Sequence, residues 1–227
     1  MKIKSVFKRY EQKYLLTPDI ADLIEEAAKL HMTKDEYGET DILSIYYDTP
    51  DNRLIRNSID KPDYKEKLRL RSYGVPDNDT TVFLELKKKY NGIVYKRRLK
   101  MPYRQGLTAL KDRVLPDTQV GREIEYFCRF YKELAPKVVI SYRRQAYFEG
   151  EFRLTLDRNI LFRTEDLDLS LGIFGREVTD KVVMELKSER AIPFWLLELL
   201  NKYKVYKTPF SKYGTAYQII KGEKTNG

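Results

Sequence analysis

Charged residues recur at every second position in several segments of this 227-residue chain. Lys67, Arg69 and Arg71 alternate with leucines, and Glu185 and Lys187 alternate with Met and Leu. Because successive side chains of a β-strand point to opposite faces, each segment predicts a strand with one charged and one apolar face. The planar guanidinium group of Arg suits phosphate oxygens, and Lys adds a point charge. The pattern indicates a site for a phosphorylated ligand.

The same alternation places further charged residues on the charged faces of other predicted strands. These residues are Arg9, Glu11, Lys13, Glu85, Lys87, Lys96, Arg98, Lys100, Arg144, Arg153 and Asp157. Burying so many cations without a counter-ion costs too much free energy, so a polyanion is the expected occupant. A few carboxylates beside phosphate oxygens also suit Mg²⁺ or Mn²⁺, which take one or two carboxylates together with substrate oxygens.

Strands dominate the predicted secondary structure. Eight are predicted, over residues 6–16, 42–47, 64–73, 81–89, 93–101, 138–148, 152–161 and 181–187. Amphipathic helices need an apolar surface to cover, so we expect the helices outside and the charged faces inside. The predicted fold class is α+β: an eight-stranded antiparallel β-tunnel, a closed barrel, with helices outside and at the rims. One domain is expected over residues 1–227.

Composition restricts the partners and the compartment. Lys and Arg total 43 against 34 Asp and Glu, a net charge of +9 that favours anionic partners. Cys128 is the single cysteine, so an intramolecular disulfide is excluded, and His31 is the single histidine. The N-terminus has no signal-like apolar stretch, and no apolar run reaches the ~20 residues that span a bilayer. We expect a cytoplasmic protein with no membrane segment of its own.

Eight short motifs, in their order along the chain, carry a family resemblance. They are Arg9-Tyr-Glu-Gln-Lys-Tyr14, Ser44-Ile-Tyr-Tyr-Asp-Thr-Pro50, Lys67-Leu-Arg-Leu-Arg-Ser72, Leu84-Glu-Leu-Lys87, Ser141-Tyr-Arg-Arg-Gln-Ala-Tyr147, Leu154-Thr-Leu-Asp157, Met184-Glu-Leu-Lys187 and Phe210-Ser-Lys-Tyr213. With them the chain resembles the VTC domain, the catalytic module of polyphosphate polymerases, within the triphosphate tunnel metalloenzyme superfamily. The resemblance implies a tunnel that binds ATP, triphosphate and inorganic polyphosphate.

The resemblance also implies roles for individual residues. Glu185 is the implied main ligand of Mn²⁺ or Mg²⁺, with Glu11 or Glu85 nearby. The implied catalytic residues are Lys13, Arg69, Arg71, Lys87, Arg144 and Glu185. The phosphate-binding candidates are Lys13, Arg69, Arg71, Lys87, Lys96, Arg98, Tyr142, Arg144, Arg153, Lys187, Ser211 and Lys212. Among these, Tyr142, Ser211 and Lys212 match positions that close on the phosphate chain at the tunnel mouth.

The implied reaction is transfer of the γ-phosphoryl group of ATP onto a growing polyphosphate chain. Hydrolytic members of the superfamily carry Glu-x-Glu-x-Lys on the first strand, whereas this chain has Arg9 at the first position, which favours the polymerase. A triphosphate or polyphosphate hydrolase and a non-catalytic phosphate-binding module remain alternatives. Nucleic acid is not expected, because Glu11, Glu85 and Glu185 interrupt the basic faces. Eukaryotic members imply a membrane-protein partner.

Overall fold

The computed structural model describes residues 10–60, 63–91, 93–189 and 191–222. Within these ranges the elements follow in the order β1 (Tyr10–Leu16), α1 (Pro18–His31), β2 (Thr33–Asp48), α2 (Arg53–Ile59), β3 (Tyr64–Tyr73), β4 (Thr81–Tyr90), β5 (Ile93–Pro102), α3 (Tyr103–Ala109), α4 (Gln119–Tyr131), β6 (Ala135–Glu149), β7 (Phe152–Arg163), a 3-10 helix (Leu169–Leu171), β8 (Arg176–Thr179), β9 (Val182–Ser188), α5 (Phe194–Lys202) and α6 (Lys212–Ile220). The mixture of a large sheet with helices confirms the α+β expectation.

The nine described strands form one sheet. Its order is β1-β9-β7-β6-β2-β3-β4-β5, and β8 pairs with β7. The prediction of eight strands is wrong because β8 has four residues with one apolar side chain, too few to show alternation. Among the described residues no ladder joins β1 to β5, so the structure shows an antiparallel sheet without closure by hydrogen bonds.

The chain divides into two compact units. Unit 1 comprises the described residues of Met1–Thr40, Tyr142–Ile160 and Thr179–Ser211. Unit 2 comprises those of Asp41–Ser141, Leu161–Val178 and Lys212–Gly227. The single domain over residues 1–227 stays a prediction.

The core of unit 1 lies between helices and one face of its strands. Pro18 starts α1, where its missing N–H costs nothing, and Ile24 of this helix is fully buried. The core side chains are Tyr14, Leu16, Ala21, Ile24, Ala28, Met32, Tyr147, Phe152, Leu154, Leu156, Val182, Met184, Leu186, Leu196 and Leu200. At the end of α1 the ring of His31 stacks on Trp195 of α5, with centroids 5.1 Å apart.

The core of unit 2 uses alternate residues of β2 to β5. Its side chains from these four strands are Leu43, Ile45, Tyr47, Leu68, Leu70, Val82, Leu84, Leu86, Leu99 and Met101, and β6 adds Val139. Helices α3 and α4 cover them, and Gly106 lets α3 approach closely, since a Cβ there would lie 2.9 Å from Leu70 Cδ1. Cys128 packs in this core, and burial raises the pKa of its thiol to about 11, so the thiol stays protonated at neutral pH.

No helix in the described ranges has the length and apolar character needed to cross a lipid bilayer.

Candidate functional site

The sheet of unit 2 presents a charged face opposite its apolar core. In the β2–β3 ladder Ser44 pairs with Arg71 and Tyr46 pairs with Arg69. Glu85 of β4 lies opposite Arg69 in the next ladder. Directly opposite side chains of an antiparallel pair project from the same face. We name this surface the unit 2 charged face, and it comprises Ser44, Tyr46, Arg69, Arg71, Glu85, Lys87, Lys96 and Arg98.

Glu85 organises the arginines of this face. Its Oε2 accepts a hydrogen bond of 2.8 Å from Arg69 Nε, and its Oε1 accepts one of 2.9 Å from Arg98 Nε. Arg71 Nε lies 3.7 Å from Oε2. Burial raises the pKa of Glu85, but the charges of Arg69 and Arg71 outweigh burial and lower it to about 2. An ionised carboxylate therefore fixes three guanidinium groups, and both of its oxygens are engaged.

Two polar atoms of the unit 2 charged face lack hydrogen bonds. The hydroxyl of Ser44, 1% exposed, and Nε of Arg71, 6% exposed, have no hydrogen-bond partner among the described residues. Such a buried donor costs about 1–3 kcal/mol of stability when it stays unsatisfied. Because Ser44 and Arg71 are register partners, one anionic ligand can supply an acceptor to both. This is the observation in the structure that points most directly to a bound anion.

Tyr46 is a polar contact of the site that was not among the predicted site residues. Its Oη accepts a hydrogen bond of 3.0 Å from Arg69 Nη1, and its ring lies 4.9 Å from that of Tyr213. Burial raises the pKa of Tyr46, but the nearby charges of Arg69, Arg71 and Lys67 lower it to about 7. Within β2, alternation puts Ser44 and Tyr46 on one face and Ile45 and Tyr47 on the other, but the predicted strand over residues 42–47 has no charged residue to mark the charged face.

Lys87 and Lys96 extend the unit 2 charged face. They lie opposite each other in the β4–β5 ladder, where Lys87 is half-buried and Lys96 exposed. Lys212 begins α6 and is half-buried in unit 2, whereas Ser211 before it belongs to unit 1. The next residue, Tyr213, donates a hydrogen bond of 3.0 Å to Asp48 Oδ2.

Unit 1 carries a second charged face around β9. In the β1–β9 ladder Glu185 lies opposite Lys13, and Glu11 lies opposite Lys187. Glu185 forms an ion pair with Lys187. Burial opposes ionisation of Glu185, but the charges of Lys187, Lys13 and Arg144 hold its pKa far below the usual range. We name this surface the unit 1 charged face, and it comprises Glu11, Lys13, Tyr142, Arg144, Arg153, Asp157, Glu185 and Lys187.

Asp157 fixes Arg144 on the unit 1 charged face. Nε of Arg144 donates to Oδ1 of Asp157 at 2.6 Å, and Nη2 donates to Oδ2 at 2.8 Å. The guanidinium carbon also lies 5.3 Å from the ring centroid of Tyr142. Burial lowers the pKa of Arg144, but Tyr142, Asp157 and Glu185 outweigh burial and raise it. The fully buried Asp157 is a positioning residue that sequence reasoning left without a role.

The other residues of the unit 1 charged face have partners within the unit. Lys13 Nζ donates a hydrogen bond of 3.0 Å to the carbonyl of Phe210 and lies 3.9 Å from Glu11 Oε1. Arg153 is exposed and donates to Asp35 at 3.0 Å. Arg9, at the position where the resemblance expects Glu in hydrolytic members, lies outside the described residues.

The carboxylates fit a divalent metal only if the ligand supplies further oxygens. The described residues contain no group of three or more His, Cys, Asp or Glu side chains arranged to hold a metal. Glu11 and Glu185 belong to unit 1, lie on neighbouring strands and both interact with Lys13. Two ionised carboxylates with phosphate oxygens are a donor set that Mg²⁺ and Mn²⁺ accept. Glu85 belongs to unit 2, and arginines occupy both of its oxygens.

Comparisons with known proteins agree with the fold. A candidate adenylate cyclase from Bacillus halodurans matches with a TM-score of 0.59 and 16% identity, over 88% of this chain and 92% of that one. A candidate adenylyl cyclase from Hippeastrum, described as having a dominant triphosphatase activity, matches with a TM-score of 0.54 and 16% identity, over 96% of this chain and 98% of that one. No match was found among curated proteins.

The sequence also matches a family directly. Residues 8–221 match the VTC domain, which is nearly the whole chain. This match confirms the resemblance to the VTC domain that the eight motifs indicated. The chain belongs to the VTC domain family.

Proposed function

We propose that the protein is a metal-dependent polyphosphate polymerase that transfers the γ-phosphoryl group of ATP onto inorganic polyphosphate. The observation that carries the phosphate site is the pair of buried, unsatisfied atoms on Ser44 and Arg71, next to two more anchored guanidinium groups. Membership of the VTC domain family supports an enzyme that acts on polyphosphate or triphosphate. The closed tunnel predicted from the sequence is part of this proposal.

The unit 2 charged face binds phosphate oxygens in this proposal. Glu85 holds Arg69 and Arg98 in fixed orientations, so little side-chain entropy is lost when their remaining N–H groups meet a ligand. Arg71 supplies its unsatisfied Nε, and Lys87 adds a further positive charge. Glu85 therefore acts as an anchor for cations, and we assign metal binding to other carboxylates.

Glu185 and Glu11 hold the metal in this proposal. Their carboxylates would hold a divalent cation, which would supply positive charge to offset the charge that develops during transfer. Lys13 and Lys187 keep Glu185 ionised, so the carboxylate is ready to coordinate at neutral pH. Asp157 holds Arg144 near these carboxylates with its guanidinium charged.

The reaction needs no covalent enzyme intermediate. An ionised oxygen at the end of the acceptor chain attacks the γ-phosphorus of ATP, and the bond from that phosphorus to the β,γ-bridging oxygen breaks. ADP leaves with the bridging oxygen and its electron pair, and the acceptor grows by one phosphate. Because the nucleophile is already ionised, no strong general base is required. The arginines and lysines position the phosphates and offset their charge.

A triphosphate hydrolase is the second candidate. It is favoured by the structural similarity to the Hippeastrum protein with its dominant triphosphatase activity. Arg9 argues for the polymerase, because hydrolytic members have Glu at this position and a second carboxylate would help to activate water. A non-catalytic phosphate-binding module is the third candidate, and an assay has to distinguish it from both enzymes.

Phosphorus NMR on purified protein with ATP and Mn²⁺ tests the proposal. Signals of internal phosphates in a chain, together with ADP, are expected for the polymerase. Free orthophosphate without chain signals would identify a hydrolase. Unchanged ATP in a sample that binds tripolyphosphate tightly would identify a binding module. Either of the last two results overturns the polymerase.

A further inference from the structure

One buried hydrogen bond in unit 2 joins two of the sequence motifs. Asp48, from the motif over residues 44–50, ends β2, and Tyr213, from the motif over residues 210–213, lies in the first turn of α6. The hydroxyl of Tyr213 donates to Oδ2 of Asp48 at 3.0 Å, and the two residues are 4% and 0% exposed. Neither residue was predicted to belong to the site, and the proposed reaction uses neither directly.

Asp48 is held in place by the backbone that follows it. Its Oδ1 accepts from the amides of Thr49 and Leu54, each at 2.8 Å, and its Oδ2 accepts from the amide of Ile55 at 3.0 Å. A buried carboxylate needs such donors, because its desolvation is otherwise costly. Three amides therefore fix the carboxylate at the start of α2, and Tyr213 adds a donor from a distant part of the chain.

Tyr213 connects this carboxylate to the unit 2 charged face. Its ring lies 4.9 Å from the ring of Tyr46, whose hydroxyl accepts a hydrogen bond from Arg69. Burial and the charge of Asp48 raise the pKa of Tyr213, so its hydroxyl stays protonated and donates at neutral pH. The first turn of α6 is therefore attached to the start of α2 and lies beside the charged face.

This attachment bears on Lys212, the residue before Tyr213. Lys212 is half-buried and is one of the predicted phosphate-binding residues. Helix α6 has nine residues, and a helix of that length depends on tertiary contacts for its stability. Loss of the hydrogen bond between Tyr213 and Asp48 should therefore release the first turn of α6, and Lys212 with it.

We propose that Asp48 and Tyr213 are positioning residues, which hold the first turn of α6 so that Lys212 can bind a phosphate at the unit 2 charged face. The inference rests on the proposed function, because it takes Lys212 as a phosphate ligand. Release of α6 lowers the fraction of molecules that are competent to bind, and the apparent affinity falls by the same factor. The effect of Tyr213 on affinity therefore requires Lys212.

Titration calorimetry of tripolyphosphate into wild type, Tyr213→Phe, Lys212→Gln and the double variant tests this coupling. We expect Tyr213→Phe to bind roughly threefold to tenfold more weakly than wild type, as for the loss of one hydrogen bond. Lys212→Gln should bind about tenfold more weakly, since it loses a charged donor. The double variant should stay within about twofold of Lys212→Gln alone, because no Lys212 is left to position.

Tyr103→Phe is the matched control. Tyr103 is also a buried tyrosine of unit 2 whose hydroxyl donates to a carboxylate, Oδ1 of Asp168 at 2.8 Å, but it packs in the apolar core. Melting temperatures should fall in both Tyr103→Phe and Tyr213→Phe, whereas tripolyphosphate affinity should fall only in Tyr213→Phe. An equal loss of affinity in both variants would assign the effect to stability and overturn the positioning role.

The other possible results separate the positioning role from the proposed function. Wild-type affinity in a folded Tyr213→Phe variant overturns the positioning role, as do wild-type affinity in Lys212→Gln and losses that add in the double variant. Tripolyphosphate still binds in these cases, so the phosphate site at Arg71 stands. Wild-type protein that fails to bind tripolyphosphate contradicts both. Amide hydrogen exchange in α6 that is no faster in Tyr213→Phe than in wild type would contradict the attachment itself.

Discussion

Arg69 and Glu85 face each other across the β3–β4 ladder, and Nε of Arg69 donates to Oε2 of Glu85 at 2.8 Å. Only 3% of the Glu85 side chain is exposed, and Arg98 donates to its other oxygen. The carboxylate therefore offsets cationic charge in the absence of ligand and fixes the direction of the guanidinium groups. A phosphate ligand adds a second set of anionic acceptors to the same groups.

Glu85→Gln should destabilise the protein and make it more dependent on phosphate. Loss of one partner of a buried ion pair costs about 3 kcal/mol, which corresponds to roughly 6–12 °C in melting temperature for a chain of this size. Added tripolyphosphate should raise the melting temperature of Glu85→Gln more than that of wild type, because the ligand replaces the missing counter-ion. Differential scanning calorimetry with and without tripolyphosphate measures both effects.

The pH dependence of stability, and a comparison with the Arg97–Glu123 ion pair, also test the anchoring role of Glu85. The pKa of Glu85 is lowered from 4.5 to about 2, so its stabilising contribution is full above about pH 4.5 and is lost as pH falls toward 2. The stability difference between wild type and Glu85→Gln should shrink over that interval. Glu123→Gln, which breaks a partly exposed pair with Arg97, should cost about 1 kcal/mol or less. Equal destabilisation by both variants would contradict the anchoring role.

Tyr46→Phe should weaken the pH dependence of phosphate binding. The pKa of Tyr46 is lowered to about 7, so the phenolate forms as pH rises through 7 and removes one positive charge from the face. Affinity for tripolyphosphate should therefore fall from pH 6 to pH 8 more steeply in wild type than in Tyr46→Phe. Protonation of tripolyphosphate itself affects both proteins equally, so the difference between their pH profiles reports on Tyr46. Identical pH profiles by calorimetry would show that Tyr46 does not titrate in this range.

Asp157→Asn should destabilise unit 1 through Arg144. Asp157 is fully buried and binds the guanidinium through two hydrogen bonds, so the variant loses a buried ion pair at a cost of about 3–5 kcal/mol. Urea unfolding measures the free energy. Asp22→Asn is the control, because Asp22 is largely exposed and its pair with Arg158 should contribute no more than about 1 kcal/mol. A cost below about 1 kcal/mol for Asp157→Asn would remove the positioning role.

Glu185→Gln should abolish metal binding that depends on phosphate while the protein stays folded. Electron paramagnetic resonance of Mn²⁺ in the presence of tripolyphosphate reports bound metal directly, without an activity assay. Glu198→Gln on α5 is the control, since this residue is exposed and lies outside both charged faces. Mn²⁺ bound equally well by wild type and Glu185→Gln would exclude Glu185 as the main ligand.

Alternation along the strands predicted correctly which charged side chains share a face of the sheet. Arg69, Arg71 and Glu85 share one face because a period of two is fixed by strand geometry and is visible in the sequence. The strand from Thr33–Asp48 begins earlier than expected because its first nine residues are mostly polar and include Gly38. Closure of the sheet depends on long-range pairing, which alternation does not report.

Partners across strands could not be predicted, because they depend on register. Alternation placed Glu85 beside cations but gave no sign that both of its oxygens accept from arginines. Tyr46 was not among the predicted site residues, since Tyr is common in strands for packing reasons, and its hydrogen bond with Arg69 depends on the β2–β3 register. Ser44 and Asp157 likewise acquire their roles only from the side chains opposite or beside them.

Titration calorimetry of tripolyphosphate into wild type, Arg71→Gln and Arg97→Gln tests the central claim most directly. Arg71 belongs to the unit 2 charged face, whereas Arg97 lies on the opposite face of β5 and pairs with Glu123. Loss of a charged hydrogen-bond donor to phosphate should weaken binding by at least about tenfold in Arg71→Gln. Arg97→Gln should bind like wild type. Tripolyphosphate affinity that is unchanged in a folded Arg71→Gln variant would contradict a phosphate site on this face.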